Sequence, residues 1–233
     1  LNRFRTPAQQ RIIFEECFCF QLGLLTNRME LNLDRKEGAM QVNDHIRQSA
    51  LKVLPFRLTS GQKHALQEIA HDLQRLQAMN RLLQGDVGSG KTIVALLSAV
   101  IAIENGFQVA FMAPTELLAV QHAKNISRLL ANSRFTTGLL TGSMQAKNRK
   151  RIVAQISKKE IDLVVGTQAL LESPIKFQRL GLVVIDEQHR FGVAQRAKLR
   201  EKGLNPHVLV MTATPIPRTL ALTAYGDLDV SVI

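Results

Sequence analysis

The 233-residue sequence predicts a doubly wound α/β fold, a parallel sheet with helices on both faces, carrying an N-terminal helical extension. Three observations carry that expectation. After residue 80, short apolar segments alternate with longer helical ones, the order that builds strand–helix–strand units. The short segments are rich in Val, Leu and Ile and mostly unbroken by polar residues, as strands covered on both faces must be. The first strand-to-helix junction reads Gly85-Asp86-Val87-Gly88-Ser89-Gly90-Lys91-Thr92, which meets G-x-x-x-x-G-K-[ST] at every fixed position.

Thr6-Pro7 reads as a cap followed by proline at the first helical position. Ile13, Cys17, Phe20 and Leu24 follow at helical spacing, as do Phe14, Phe18 and Leu25. One long helix to about Met29 is expected, apolar over a wide arc and therefore packed on something large. Cys17 and Cys19 are the only cysteines. Two apart on a helix they face different ways and cannot share a metal, so they fit a reducing compartment and a role as small buried apolar groups. Residues 32–45 are polar around Gly38 and read as a linker. Phe56 to Leu58 follow Pro55 and lead into Thr59-Ser60, a cap for a helix from about Gly61 to Gln77.

Strands are then expected at Arg81–Gln84, Gln108–Ala113, Thr136–Leu140, Asp162–Gly166, Leu182–Asp186 and Val208–Thr212. Helices are expected between them at Thr92–Glu104, Leu117–Ala131, Gln145–Ser157 and Ala194–Glu201. The glycine-rich junction names a ligand. Backbone N–H groups can cradle a polyanion only where the chain approaches closely, and Gly85, Gly88 and Gly90 supply that freedom. Lys91 offers a point charge to the β- and γ-phosphates, and the Thr92 hydroxyl is placed to ligate Mg²⁺. The helix that follows points its N-terminus at the anion.

The formal net charge of +11 favours an anionic partner, nucleic acid above all. Lys147, Arg149, Lys150, Arg151, Lys158 and Lys159 form a basic segment, for which a solvated helix face is an equally good reading. With one tyrosine, Tyr225, and no tryptophan, phosphate contacts are favoured over base stacking. No apolar run approaches the roughly 18 residues that span a bilayer. The first stretch carries Arg3, Arg5 and Arg11 without an apolar core or cleavage site, so no signal peptide is expected. The start at Leu1 and the stop in Val230-Ser231-Val232-Ile233 suggest a piece of a longer protein.

In an open α/β sheet, ligands bind at the carboxyl ends of strands. Leu182-Val183-Val184-Ile185 ends in Asp186-Glu187-Gln188-His189. An apolar strand ending in acids is how a phosphate-loop nucleotidase presents a Mg²⁺-holding aspartate, with an adjacent glutamate to orient water. Val208–Met211 ends in Thr212-Ala213-Thr214-Pro215, Phe111-Met112-Ala113 in Pro114-Thr115-Glu116, and Val164-Val165 in Gly166-Thr167-Gln168. In this order the motifs resemble those of the first, RecA-like motor domain of superfamily 2 nucleic-acid helicases, over about residues 56–226. The detail of Gly85–Thr92, of Asp-Glu-Gln-His-Arg-Phe-Gly-Val at 186–193 and of Thr-Ala-Thr-Pro-Ile-Pro-Arg-Thr-Leu at 212–220 resembles the RecG-type branched-DNA helicases of bacteria. The Pro7–Met29 helix resembles the segment with which that family joins its DNA-binding wedge to the motor. The one departure, Ala119-Val120 before Gln121-His122 where the family often has Ala-Glu, is expected to leave function unaffected.

The resemblance implies roles. Residues 1–53 become a helical linker segment from a preceding DNA-binding region, and 54–233 the ATP-binding domain, first of two in the parent protein. Phe56 and Gln62 match the adenine-recognition segment, and a glutamine amide can both donate to and accept from adenine. Gly85, Asp86, Val87, Gly88, Ser89, Gly90, Lys91 and Thr92 hold ATP, with Thr92 and Asp186 on Mg²⁺ and Glu187 on the attacking water. Gln188, His189, Thr212 and Thr214 couple nucleotide state to DNA, and Thr115, Thr141, Gly142 and Thr167 contact phosphodiesters. A lone threonine at a strand end is also an ordinary helix cap. The implied partners are DNA, a second RecA-like domain and a wedge domain of the same parent chain, in the bacterial cytoplasm at the nucleoid, with no membrane. The arginine finger of the second domain is not evident in the sequence, so the isolated chain is expected to be nearly inactive. Rival readings are a transcription-repair coupling translocase, a nucleotide-binding scaffold without turnover, and a phosphate-loop kinase.

Overall fold

The computed structural model describes residues 6–33, 39–171, 175–186, 205–214 and 228–233. The expected helix at Ala194–Glu201 lies outside them. The chain runs α1 (Pro7–Leu33), α2 (Asp44–Lys52), α3 (Ser60–Leu73), β1 (Asn80–Gln84), α4 (Lys91–Glu104), β2 (Gln108–Met112), α5 (Glu116–Leu130), β3 (Thr137–Leu140), α6 (Ala146–Ser157), β4 (Leu163–Gly166), a 3₁₀ turn (Gln168–Leu171), β5 (Leu180–Asp186), β6 (His207–Thr212) and β7 (Asp229–Val232). The seven described strands form one sheet in the order β3-β4-β2-β5-β6-β1-β7, and every pairing is parallel.

The doubly covered sheet is visible residue by residue. Leu83, Val109, Phe111, Leu163, Val165, Leu182, Val184, Leu209 and Met211 face one core, shared with α2, α3, α4 and α5. Their chain neighbours Leu82, Ala110, Met112, Val164, Val183, Ile185, Val208 and Val210 face the other, closed by Ile156 of α6, Leu170, Ile175 and Leu228. Side chains alternate across a strand, so one apolar run fills both layers. Helix α4 is buried almost throughout, Val94 to Ile103, which explains why its sequence is apolar all round.

Local chemistry sets the helix starts. Asn43 caps α2, its side chain accepting from the Ile46 N–H at 2.9 Å. Thr59 and Gln62 form a reciprocal capping box on α3, satisfying two of the orphan N–H groups at that end. Arg81, inside a buried strand, is tolerated because its charge is met. Its guanidinium donates to Asp72 at 2.8 Å, to Ser231 at 2.8 Å and to Glu68 at 3.4 Å. The network ties α3, β1 and β7 together.

Five expectations are corrected. The stretch 32–45, read as linker, contains the end of α1 and the start of α2. Met40, Ile46 and Ala50 belong to the main core. Helix α3 stops at Leu73 rather than Gln77, where the Gln74 N–H turns back to Ala70 and His71 carbonyls. Strand β7, unexpected from sequence, adds to the free side of β1. The apolar arc of α1 is not covered: Ile12, Ile13, Phe14, Phe18, Phe20 and Leu22 are all about half exposed or more, and Cys17 and Cys19, expected to be buried, are free and exposed. A helix apolar on several sides needs neighbours on several sides, and the described residues supply none. Among the described residues, no helix is long and apolar enough to cross a membrane.

Candidate active site

The carboxyl ends of the strands form one edge, and strand register orders what stands on it. Gln84 pairs with Thr212, Met211 with Asp186, Ile185 with Met112, Met112 with Gly166 and Gly166 with Leu140. The glycine-rich loop, the Thr212–Thr214 turn, Asp186, Thr115, Thr167 and Thr141 therefore follow one another along it. Asp186 stands two strands from β1, roughly 10 Å at the usual interstrand spacing.

The loop is built for a bound anion. Gly88 and Gly90 have φ of 82° and 90°, the left-handed region that disfavours side chains. A Cβ on Gly90 would collide with the Gln62 amide, and one on Gly85 would sit 2.7 Å from Ser89 Oγ. Gly90 caps α4 without a side-chain hydrogen bond, which leaves the first N–H groups of the helix for a ligand. Lys91 folds over the loop, its Nζ donating to the carbonyls of Gly85 at 2.7 Å and Asp86 at 2.9 Å. Ser89 Oγ is buried without a hydrogen-bond partner among the described residues, and Val87 is exposed at the tip. Glycine cradle, cation and buried hydroxyl are the groups with which a loop of this type meets a phosphate.

Gln62 reaches this loop from α3. Its Oε1 accepts from the Thr59 N–H at 3.0 Å and its Nε2 donates to Ser89 O at 2.7 Å. Phe56 is half exposed and borders two clefts of about 750 and 810 Å³, neither of which is lined by residues 85–92.

Asp186 ends β5 with its Oδ2 2.7 Å from His122 Nε2, both side chains largely buried. The imidazole comes from α5 and rests on Phe111, ring centroids 4.8 Å apart. Sequence reasoning passed over His122, because a histidine inside a helix carries no local signal of a partner 64 residues away. Glu187, Gln188 and His189 lie outside the described residues. Thr212 is buried and bonds Thr214 hydroxyl to hydroxyl at 2.7 Å, while its Oγ1 also accepts from the Thr214 N–H at 3.2 Å.

At the far end of the edge, Thr115 caps α5 by accepting from the Leu118 N–H at 3.3 Å. The next residue, Glu116, accepts from the Ser143 N–H at 2.9 Å and from its hydroxyl. The Ser143 hydroxyl, then its N–H, hold the Glu116 carboxyl below its ordinary range against a smaller opposing effect of burial. Thr141 is buried, Gly142 lies under Glu116, and Gly166 approaches the Leu140 carbonyl too closely for any side chain. Thr167 is half-buried, and its carbonyl accepts from the Leu170 N–H at 3.0 Å. On α6, Lys147, Lys150 and Arg151 are exposed, as is the C-cap Lys158, while Ile156 packs inward.

Residues 59–223 match the family model described as DEAD/DEAH box helicase. The chain is 50% identical over 237 residues to the ATP-dependent DNA helicase RecG of Aquifex aeolicus (strain VF5), covering all of this chain and 30% of that protein. It is 51% identical over 229 residues to that of Streptococcus pneumoniae serotype 4, covering 97% and 33%. The solved structure of RecG bound to a three-way DNA junction is similar with a TM-score of 0.85 at 42% identity, over 96% of this chain and 30% of that one. The helicase MrfA bound to DNA shares the fold, with a TM-score of 0.62 at 18% identity, over 86% of this chain and 31% of that one. The chain thus spans about a third of the length of the curated relatives it matches.

Proposed function

The chain belongs to the DEAD/DEAH box helicase family, and from that premise we propose that it is the first ATP-binding motor domain of a RecG-type ATP-dependent DNA helicase that remodels branched DNA or stalled replication forks in recombination and repair. The observation that carries this reading is the single carboxyl edge on which the phosphate-type loop, Asp186 and the polar ends of β2, β3 and β4 stand in register. Family membership implies use of ATP. Identity near 50% to proteins named RecG favours that type over a transcription-repair translocase, a silent scaffold or a kinase.

In this reading residues 85–92 wrap the phosphates, Lys91 leaves its two carbonyl partners for the β- and γ-phosphates, and Gln62, with Phe56 nearby in sequence, reads adenine. The site fits Mg²⁺. Thr92 and Asp186 are hard oxygen donors. Mg²⁺ suits one or two such donors, because phosphate and water complete its shell. When bound it neutralises charge on the β- and γ-phosphates. Glu187 orients the attacking water, Gln188, His189, Thr212 and Thr214 transmit nucleotide state, and Thr115, Thr141, Gly142 and Thr167 meet the DNA backbone. Residues 1–53 serve as the linker from a DNA-binding wedge, and 54–233 as the motor that a second RecA-like domain completes, working at the bacterial nucleoid. The uncovered apolar arc of α1 supports a neighbour there.

Fluorescence anisotropy with a labelled three-way junction tests the reading. Binding is expected to be independent of base sequence and to fall linearly in log K against log salt, with about −0.9 of slope per neutralised phosphate for duplex DNA. A flat salt dependence, or discrimination between junctions of different sequence, would overturn it.

A further inference from the structure

We propose that His122 is a positioning residue for the metal site, holding one oxygen of Asp186 so that the carboxylate meets Mg²⁺ in a single orientation. The inference rests on the reading of Asp186 as the metal-holding residue and adds a partner from a different element. Three observations carry it. The Nε2–Oδ2 separation is 2.7 Å, the length of a charge-assisted hydrogen bond. The side chains are 13% and 14% exposed, so water competes weakly for either. The imidazole is braced on Phe111 of β2, which is fully buried, so the ring cannot follow the carboxylate if it turns.

An aspartate at the end of a strand otherwise has two soft torsions and two equivalent oxygens. Engaging one oxygen removes that freedom and leaves the other for the cation. Groups that orient a metal-binding carboxylate from behind matter nearly as much as the carboxylate itself, and their loss costs about 10- to 100-fold in metal affinity or activity. The placement gives the contact a further consequence. Helix α5 begins beside Thr115, which caps it, and His122 lies about two turns further along at the usual 3.6 residues per turn. One rigid helix thus joins a strand-end loop proposed to face DNA to the residue proposed to hold the metal.

The test separates metal-dependent from metal-independent binding. The affinity of the chain for a fluorescent ATP analogue is measured in excess Mg²⁺ and in excess chelator, and the ratio is the gain due to metal. His122→Leu keeps bulk against Phe111 but has no donor. It is expected to lower the ratio about tenfold, the lower end of the usual range, with affinity in chelator unchanged. His122→Gln, whose amide reaches to the position of Nε2, is expected to retain most of the ratio, a rescue that a purely structural role would not produce. His122→Asn is too short to reach Asp186 and should behave as His122→Leu, which covers the case in which the leucine variant does not fold. Asp186→Asn should abolish the gain. A His122→Leu ratio equal to that of the parent, or equal losses in His122→Leu and His122→Gln, would overturn the proposal. An unchanged gain in Asp186→Asn would instead sink the metal assignment of Asp186, and the role of His122 with it.

Discussion

Gln62 does two things with one amide. Its oxygen completes the capping box of α3 and its nitrogen holds Ser89 O in the phosphate-type loop. It is only 9% exposed, and Gly90 is packed so closely on it that no side chain fits between them. A residue proposed to read the base is therefore also a strut of the loop that holds the phosphates. Gln62→Ala is expected to cost about 1 kcal/mol of stability through the lost hydrogen bonds, read as a lower melting temperature. It is also expected to narrow the preference for ATP over GTP in equilibrium titrations. An unchanged ATP-to-GTP ratio would remove the adenine role, and an unchanged melting temperature the strut. The glycine-rich loop was legible in the sequence because each of its positions answers a local demand: positive φ at Gly88 and Gly90, a reaching cation at Lys91, a hydroxyl at Thr92. The bonds that join distant residues were not. No pattern near His122 or near Asp186 announces the other, and Arg81 in an apolar strand gives no hint of Asp72, Glu68 and Ser231 waiting for it.

Among elements, the six expected strands appear within one or two residues of their expected bounds, because a strand covered on both faces must be a short apolar run and little else reads that way. The missed helix and the missed strand depend on partners. Helix α2 shows only Asn43, Ile46 and Ala50 as local signals inside a polar stretch, and it is held by packing on α4. Strand β7 has four residues, and its place is fixed by the ladder on β1 and by Ser231 bonded to Arg81 and Glu68. Between elements, Glu116 at the head of α5 ties down the 141–143 loop through Ser143. The carboxyl titrates below its ordinary value because Ser143 donates to the charged form. A group whose folded pKa is depressed contributes in full above its unfolded pKa and loses that contribution as pH falls through the folded one. The tie is thus complete at neutral pH and opens only in acid. The Ser143 amide resonance should titrate with a midpoint below 4.5, the ordinary value for Glu116, and should stop titrating in Glu116→Gln. A midpoint at or above the ordinary value would show that the contact is not formed in solution.

At the scale of the whole molecule, the proposed reading makes the site one half of an enclosure that a second motor domain completes. The glycine-rich loop and Asp186 stand on the same carboxyl edge of the sheet, two strands apart. Phosphoryl transfer spreads negative charge over the γ-phosphoryl oxygens, and an enzyme lowers the barrier mainly by electrostatic stabilisation there. In the proposed reading this chain offers Lys91, the oxygens of Thr92 and Asp186 for Mg²⁺, and Glu187 for water. An arginine finger reaching in from a facing domain is worth roughly 10³–10⁵ in rate in related nucleotidases. Arg190 and Arg218 stand nearest the late motifs, both outside the described residues. Arg190 directly follows the acidic motif on the same domain, which favours local pairing over reaching across an interface. The chain also spans only about a third of its relatives. Steady-state phosphate release by residues 1–233 is accordingly expected near background and unresponsive to branched DNA, although ATP binds. Fusing the second motor domain of a RecG relative in cis should restore DNA-stimulated release. Hydrolysis by the isolated chain at rates typical of a helicase would place the finger within these 233 residues and end the reading of a half-site.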